Sequence, residues 1–154
     1  KSSAASDVYK RQDYITSRID VNNKCFLAPE NMTEAIKSYC NNNDLIIPDT
    51  AGEIAAVVYK SLADSYADTV MQIEKNLDIT YDAIYVIGGG ANAGYLNQLT
   101  ADSTGKTVVA GPAEATAIGN IMAQMIADSV FKNLKEARAC VRDSFDIKRF
   151  EQKR

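Results

Sequence analysis

Gly88, Gly89 and Gly90 are the residues of this chain best suited to chemistry, although they bring no side chains. Three successive glycines present bare backbone N–H groups, which can approach a phosphate with no Cβ in the way. The apolar run before them, residues 83–87 (AIYVI), reads as a buried strand. The spacing after them predicts a helix from about Ala93. A strand that runs into a glycine turn and then a helix also brings up a helix N-terminus, with its unpaired N–H groups and partial positive charge. This is an anion site in outline, and phosphate is the anion it suits.

Absent residue types narrow the chemistry. The chain has 154 residues and no histidine, which removes histidine-based triads and histidine metal sites. Cys25, Cys40 and Cys140 lack metal-ligand spacing and read as reduced thiols of a cytoplasmic protein. Lys and Arg number 17 against 20 Asp and Glu, a net charge of -3, with no basic stripe; no nucleic-acid partner is expected. No apolar run approaches the roughly 20 residues of a membrane crossing, and the chain does not open with a signal-peptide pattern. The composition, 46% hydrophobic and 24% charged, is that of an ordinary globular domain.

The elements that must position the turn follow from periodicity. Residues 14–19 alternate as a weak strand, and residues 20–28 read as a loop. Pro29 suits the first turn of a helix that runs to about Tyr39 or Cys40, with Met32, Ala35, Ile36 and Tyr39 on one face. Asn41, Asn42 and Asn43 end it, since asparagine tolerates the left-handed conformation. Thr50 and Glu53 form a capping box for a helix to about Leu77. Val58, Leu62, Tyr66, Val70, Ile73 and Leu77 recur on its face and read as core packing.

After the glycine turn, a helix over about 93–103 closes at Gly105, and residues 106–110 (KTVVA) form a second strand. The result is a βαβ unit with a right-handed crossover and parallel strands. Gly111-Pro112 ends the second strand. A helix from about Ala113 to Val130 buries Ala115, Ile118, Met122, Met125 and Ile126, with Glu114 in its first turn. Gly119 in mid-helix, at a cost of about 1 kcal/mol against alanine, implies close approach of another backbone. A last helix covers about 134–144, and residues 148–154 are a charged tail. Two parallel strands cannot cover the apolar faces of so many helices. Residues 13–154 are therefore expected to be part of a larger domain. Residues 1–12 (KSSAASDVYKRQ), polar and unpatterned, are set apart as a disordered or foreign segment.

Within residues 84–124, Gly88-Gly89-Gly90 is followed by the run from Leu96 to Asp102, by Ala110-Gly111-Pro112 with Glu114-Ala115-Thr116-Ala117, and by Gly119-Asn120. With the run from Phe26 to Met32 and with Gly52-Glu53-Ile54, this combination resembles the C-terminal domain of the FGGY family of carbohydrate kinases, over about residues 14–150. The resemblance implies an α/β fold: part of a ribonuclease H-like, actin-like ATPase domain, helix-rich, with the parallel βαβ unit around the glycine turn. It implies ATP with Mg2+ in a cleft between two such domains, and Gly88, Gly89 and Gly90 packed on the nucleotide, Gly89 foremost. Many members carry a polar pair ending in asparagine at the positions of Asn92 and Ala93; here only Asn92 is polar, and it is the fourth nucleotide-binding candidate. Asn97 is read as structural, bonding backbone near the turn.

The reaction implied is transfer of the ATP γ-phosphate to a sugar hydroxyl, leaving ADP. The resemblance is strongest to members that act on the 1-hydroxyl of L-rhamnulose, with another ketose or a polyol as the alternative. The family's aspartate base and its sugar-binding domain are not found in this sequence, so no catalytic residue and no metal ligand is assigned. Asp49 and Asp82 are not promoted to the base, and Asp102 and Glu114 are read as helix caps or backbone partners. The chain by itself is expected to be inactive. Two other readings of the turn exist. Gly88-x-Gly90-x-x-Ala93 fits the dinucleotide fingerprint, but the second strand ends in Val109-Ala110-Gly111 without the acidic residue that reading needs. A non-catalytic actin-like nucleotide-binding module is the other.

Overall fold

The structure, a computed structural model, describes residues 15–153; the segment 1–12 and Tyr14 lie outside the described residues. The chain divides into two compact units, one ending at Ile73 and one beginning at Glu74.

In the first unit, Ile15, Ser17 and Ile19 are buried while Thr16, Arg18 and Asp20 are exposed. The alternation is real, but residues 15–20 join no sheet. Side chains take the place of a partner strand: the Ile19 N–H donates to the Ser61 hydroxyl at 3.0 Å and Lys60 Nζ donates to the Ile15 carbonyl at 3.1 Å. The expected loop that follows contains a 3-10 turn, Lys24–Phe26, and Phe26 packs on Tyr39 with ring centroids 5.3 Å apart.

Helix α1 spans Met32–Asn42 and starts later than Pro29 implies. Asn31 is the reason: its side chain accepts from the Glu34 N–H at 3.3 Å and fixes the start. Met32 is exposed, and the buried face is Ile36 and Cys40. Burial pushes the Cys40 thiol above its ordinary pKa. None of the asparagines at the helix end adopts the left-handed conformation; Asp44 does, at φ 54°, while Asn43 Nδ2 donates to the Tyr39 carbonyl at 2.8 Å.

Helix α2 spans Ala51–Leu77, as the capping box predicts. Thr50 Oγ1 accepts from the Glu53 N–H at 3.3 Å, and Glu53 Oε2 accepts in return from the Thr50 N–H at 3.1 Å. The expected apolar stripe is not what the helix buries. Its buried residues are Ala56, Val57, Ser61 and Ala63, while Tyr66, Ile73 and Leu77 are 41%, 44% and 55% exposed. Ile15, Ile19, Ile36 and Cys40 form one core cluster with Ala56 and Val57. Ile54 and Val58, the latter from the expected stripe, are half-buried and pack against this cluster, so the stripe holds at its start and fails further along.

The second unit holds the sheet. Strands β1 (Ala83–Val86) and β2 (Thr107–Ala110) pair in parallel, Ala83 opposite Thr107 and Val86 opposite Ala110. Helix α3 (Gly94–Thr104) connects them, and Gly105 ends it at φ 67° with its N–H on the Ala101 carbonyl at 3.0 Å. The βαβ unit stands as read. Helix α4 (Ala115–Ala127) is shorter than expected, with Ile118 its buried residue and Ala115, Met122, Met125 and Ile126 half-buried around it. Glu114 lies just before it and its side chain caps nothing. A Cβ at Gly119 would meet nothing within 4 Å, so no backbone approaches this glycine among the described residues. Helix α5 (Leu134–Ser144) is as read, capped by Asn133, whose side chain accepts from the Glu136 N–H at 3.0 Å.

The tail is not a charged coil. Lys148–Phe150 forms β3, antiparallel to β2, with Ala110 opposite Lys148 and Val108 opposite Phe150. The sheet order is β1-β2-β3. The fold is mixed α/β, helix-rich, with a small mixed sheet.

One polar cluster pins the approach to this sheet. Glu74 Oε1 lies 2.7 Å from Lys106 Nζ and accepts from the Tyr81 N–H at 2.7 Å, while Lys106 Nζ also donates to the Tyr81 carbonyl at 2.8 Å. The Lys106 side chain and the Tyr81 N–H hold the Glu74 carboxyl below its ordinary pKa. A depressed folded-state pKa adds stability that is complete above the unfolded value, about 4.3, and is lost as the pH falls through the folded one. Glu74→Gln is therefore expected to lower the thermal midpoint at pH 7 and to change it much less at about pH 3; melts at the two pH values check this.

Candidate functional site

β1 runs through the extended residue Ile87 into a 3-10 turn, Gly88–Asn92, and Ala93 then leads into α3 with no side-chain cap. The three glycines are small for different reasons. Gly88 has φ 73°, where only glycine is relaxed. At Gly90 a Cβ would lie 3.3 Å from Val86 Cγ1, and the turn is packed against the strand it leaves. Gly89 is exposed, and a Cβ there would meet nothing within 4 Å. The chain's own packing gives no reason for glycine at this position.

Asn97, in the first turn of α3, is 3% exposed. Its Nδ2 donates to the Gly90 carbonyl at 3.2 Å and the Ala91 carbonyl at 3.4 Å, the backbone role read from sequence. The loop after β2 is bonded to the same turn. The Gly88 N–H donates to the Pro112 carbonyl at 3.3 Å, and the Gly111 N–H donates to the Val86 carbonyl at 2.9 Å. Both loops leave the carboxyl ends of parallel strands, the edge at which open α/β sheets bind ligands.

A cavity of about 170 Å³ opens at this edge, lined among others by Ala91, Asn92, Pro112, Phe145, Asp146 and Lys148. Of the four sequence candidates, Asn92 lies on its wall; Gly88, Gly89 and Gly90 precede it in the same turn and do not line the cavity. Phe145, Asp146 and Lys148 escaped the sequence reading. The available signal was the apolar–polar alternation Phe145-Asp146-Ile147-Lys148, hidden beneath the charge of the tail. Asp102 accepts from the Lys153 N–H at 2.8 Å and from Gln98 Nε2 at 3.0 Å, a backbone partner as expected.

Among the described residues, no group of three or more Cys, Asp or Glu could hold a metal ion, and no helix is long and apolar enough to cross a membrane. A larger cavity, about 540 Å³, belongs to the first unit. Its wall carries Arg18 and Asp64, paired at 2.7 Å, and Ser61, which accepts from Ile19 and donates to the Val57 carbonyl at 2.6 Å.

Comparison with known families matches residues 10–127 to the FGGY family of carbohydrate kinases, C-terminal domain. The chain belongs to this family. It is 48% identical over 131 residues to a rhamnulokinase of Oceanobacillus iheyensis, covering 85% of this chain and 28% of that protein. It is 46% identical over 144 residues to a rhamnulokinase of Bacillus subtilis, covering 94% and 30%. For a rhamnulokinase of Halalkalibacterium halodurans the identity is 46% over 134 residues, covering 87% and 29%. The chain thus spans less than a third of the length of these relatives. The FGGY match takes in the glycine turn, Asn97 and the Gly111 loop, whereas α5 and β3 lie beyond residue 127.

The turn's shape in this FGGY domain rests on the Asn97 amide. Asn97→Leu leaves the Gly90 and Ala91 carbonyls without their donor and is expected to destabilise the protein by about 1–3 kcal/mol. Asn97→Asp is expected to do the same, because an ionised carboxylate cannot donate. Urea denaturation of both variants checks the size of the loss and assigns it to the donor.

Proposed function

We propose that this chain is the C-terminal, nucleotide-binding part of an ATP-dependent sugar kinase. In this reading residues 13–154 are one piece of a ribonuclease H-like domain, and Gly88, Gly89, Gly90 and Asn92 contact the nucleotide. The acceptor is the 1-hydroxyl of L-rhamnulose and the product is L-rhamnulose 1-phosphate. The observation that carries the nucleotide site is the open face of Gly89, where a Cβ would meet nothing within 4 Å. The acceptor is supported by relatives named rhamnulokinase at 46% to 48% identity.

The residues fit the part. The turn lies at the carboxyl end of β1 and α3 starts just beyond it, which puts the positive end of a helix near the strand edge, where phosphate charge is stabilised. The Asn97 amide holds the turn through the Gly90 and Ala91 carbonyls. Mg2+ bound with ATP supplies charge neutralisation on the phosphates. This chain contributes binding and orientation. The aspartate that takes the sugar hydroxyl proton belongs to the remainder of a kinase of full length, and the chain alone does not turn over.

Gly89→Val tests the reading in a kinase of the relatives' full length that carries these residues. A Cβ at this position meets nothing within 4 Å, so the substitution starts from open space. The KM for ATP is expected to rise about tenfold, the loss of about 1.4 kcal/mol of binding, with the KM for L-rhamnulose little changed. Steady-state kinetics with each substrate varied in turn measure both; an unaltered KM for ATP overturns the assignment of the turn.

A further inference from the structure

We infer that residues 146–153, with β3 at their centre, form a strap that braces the glycine turn from behind, and that Gln98 and Asp102, which clasp the strap to α3, are positioning residues for the nucleotide phosphates. This rests on the nucleotide-binding reading above and extends it to side chains that meet no ligand.

The strap follows one face of α3. Gly94, Gln98 and Asp102 recur at a spacing of four, which aligns them along one side of the helix. Each meets a successive part of the strap. At Gly94 a Cβ would stand 3.8 Å from Phe150 Cζ, so the ring packs on the first residue of the helix. Gln98 Nε2 donates to the Glu151 carbonyl at 2.8 Å, and Asp102 Oδ1 accepts from the Lys153 N–H at 2.8 Å. Gln98 Nε2 also donates to Asp102 Oδ1 at 3.0 Å, which joins the two contacts into one clasp. Helix physics alone gives no reason for this aspartate. Asp102 lies in the last turn of α3, where a carboxylate opposes the helix dipole. A charge-assisted bond from a backbone N–H offsets that cost.

The other end of the strap presses on the loop beside the turn. Lys148 pairs with Ala110, the last residue of β2, so β3 brings the residues before it against Gly111. Gly111 has φ 120°, and a Cβ there would lie 3.1 Å from the Asp146 carbonyl oxygen and 3.6 Å from Ile147 Cα. Glycine lets the two backbones approach this far. The loop so held is the one bonded to the turn, through the Gly111 N–H on the Val86 carbonyl and the Gly88 N–H on the Pro112 carbonyl.

One segment therefore braces both supports of the glycine turn, the helix behind it and the loop beside it. Backbone donors stabilise phosphate charge most when they are fixed beforehand. Opening the clasp loosens those supports and removes no group that the reading places on the nucleotide.

Calorimetric titration with ATP tests this in a kinase of the relatives' full length that carries these residues. Asp102→Ala is expected to weaken ATP about threefold or more, with the number of binding sites and the KM for L-rhamnulose unchanged. Asp102→Asn keeps an oxygen that accepts from both partners and is expected to restore the parent's ATP affinity. A purely structural role would lower the number of competent sites and leave the affinity of the remaining ones as it was. The inference is overturned by that result, by parent-like ATP binding in Asp102→Ala, or by an equal loss of affinity in Asp102→Asn. Should Asp102→Ala not fold, Gln98→Ala removes the other half of the clasp, and parent-like ATP affinity in that variant overturns the inference. Gly89→Val separates the two readings. If it leaves ATP binding unaltered, the nucleotide reading itself falls; if it weakens ATP while the clasp variants do not, the strap alone falls.

Discussion

One buried amide holds the candidate site in shape. Three adjacent glycines make a turn with much backbone freedom to lose on folding, and nothing in their own chemistry restricts it. Asn97 donates from the first turn of α3 back to the carbonyls of Gly90 and Ala91, so the turn and the helix behind it hold one geometry. The bond acts across six or seven residues, a separation that only a chain reversing into a helix can close. β1 delivers the turn, α3 anchors it, and β2 returns parallel to β1. The open face of Gly89 is set between neighbours that are fixed.

What could be read from the sequence was what local physics decides. The capping box at Thr50 and Glu53, the C-terminal glycine at Gly105 and the strand–turn–helix around Gly88 all depend on residues within a few positions of one another. The structure has them where the pattern puts them. The backbone role of Asn97 came with the family resemblance, and the structure has it. The candidate site was half legible, because its other wall arrives from far along the chain. β3 has three residues, two of them charged. No intrinsic preference makes that a strand; pairing with β2 does, across about forty residues. Context also overrode the periodic stripe of α2. Helical spacing states that one face is apolar, but the face that packs was chosen by Ile15, Ile19 and Ile36, which need small partners at Ala56 and Val57. Gly119 is the plainest miss: the reasoning that mid-helix glycine implies a close neighbour finds open space.

The sheet carries an asymmetry that matches the proposed function. β2 is paired on both sides and buried, whereas among the described residues β1 pairs on one side, with Tyr85 73% exposed and Ile87, just beyond the strand, 61% exposed. Parallel strands are ordinarily covered on both faces, and an open apolar edge favours further pairing. A kinase domain in which this chain supplies only part of the sheet accounts for such an edge. A self-sufficient binding module would be expected to blunt it with charge, proline or a bulge.

The geometry of the turn also separates the kinase reading from the dinucleotide one that its glycine spacing permits. In a dinucleotide site the helix rises directly out of the glycine turn, and the second strand ends in an acidic residue for a ribose. Here a 3-10 turn lies between β1 and α3, which begins only at Gly94. β2 ends at Ala110 and passes into Gly111 and Pro112. The acidic side chain that lines this edge is Asp146, which comes from the segment before the antiparallel strand rather than from the βαβ unit. The fingerprint is met in spacing and not in construction. A glycine pattern fixes how closely a ligand can approach the backbone. The element that follows the pattern, and the strand that closes beside it, determine which part of the ligand is read.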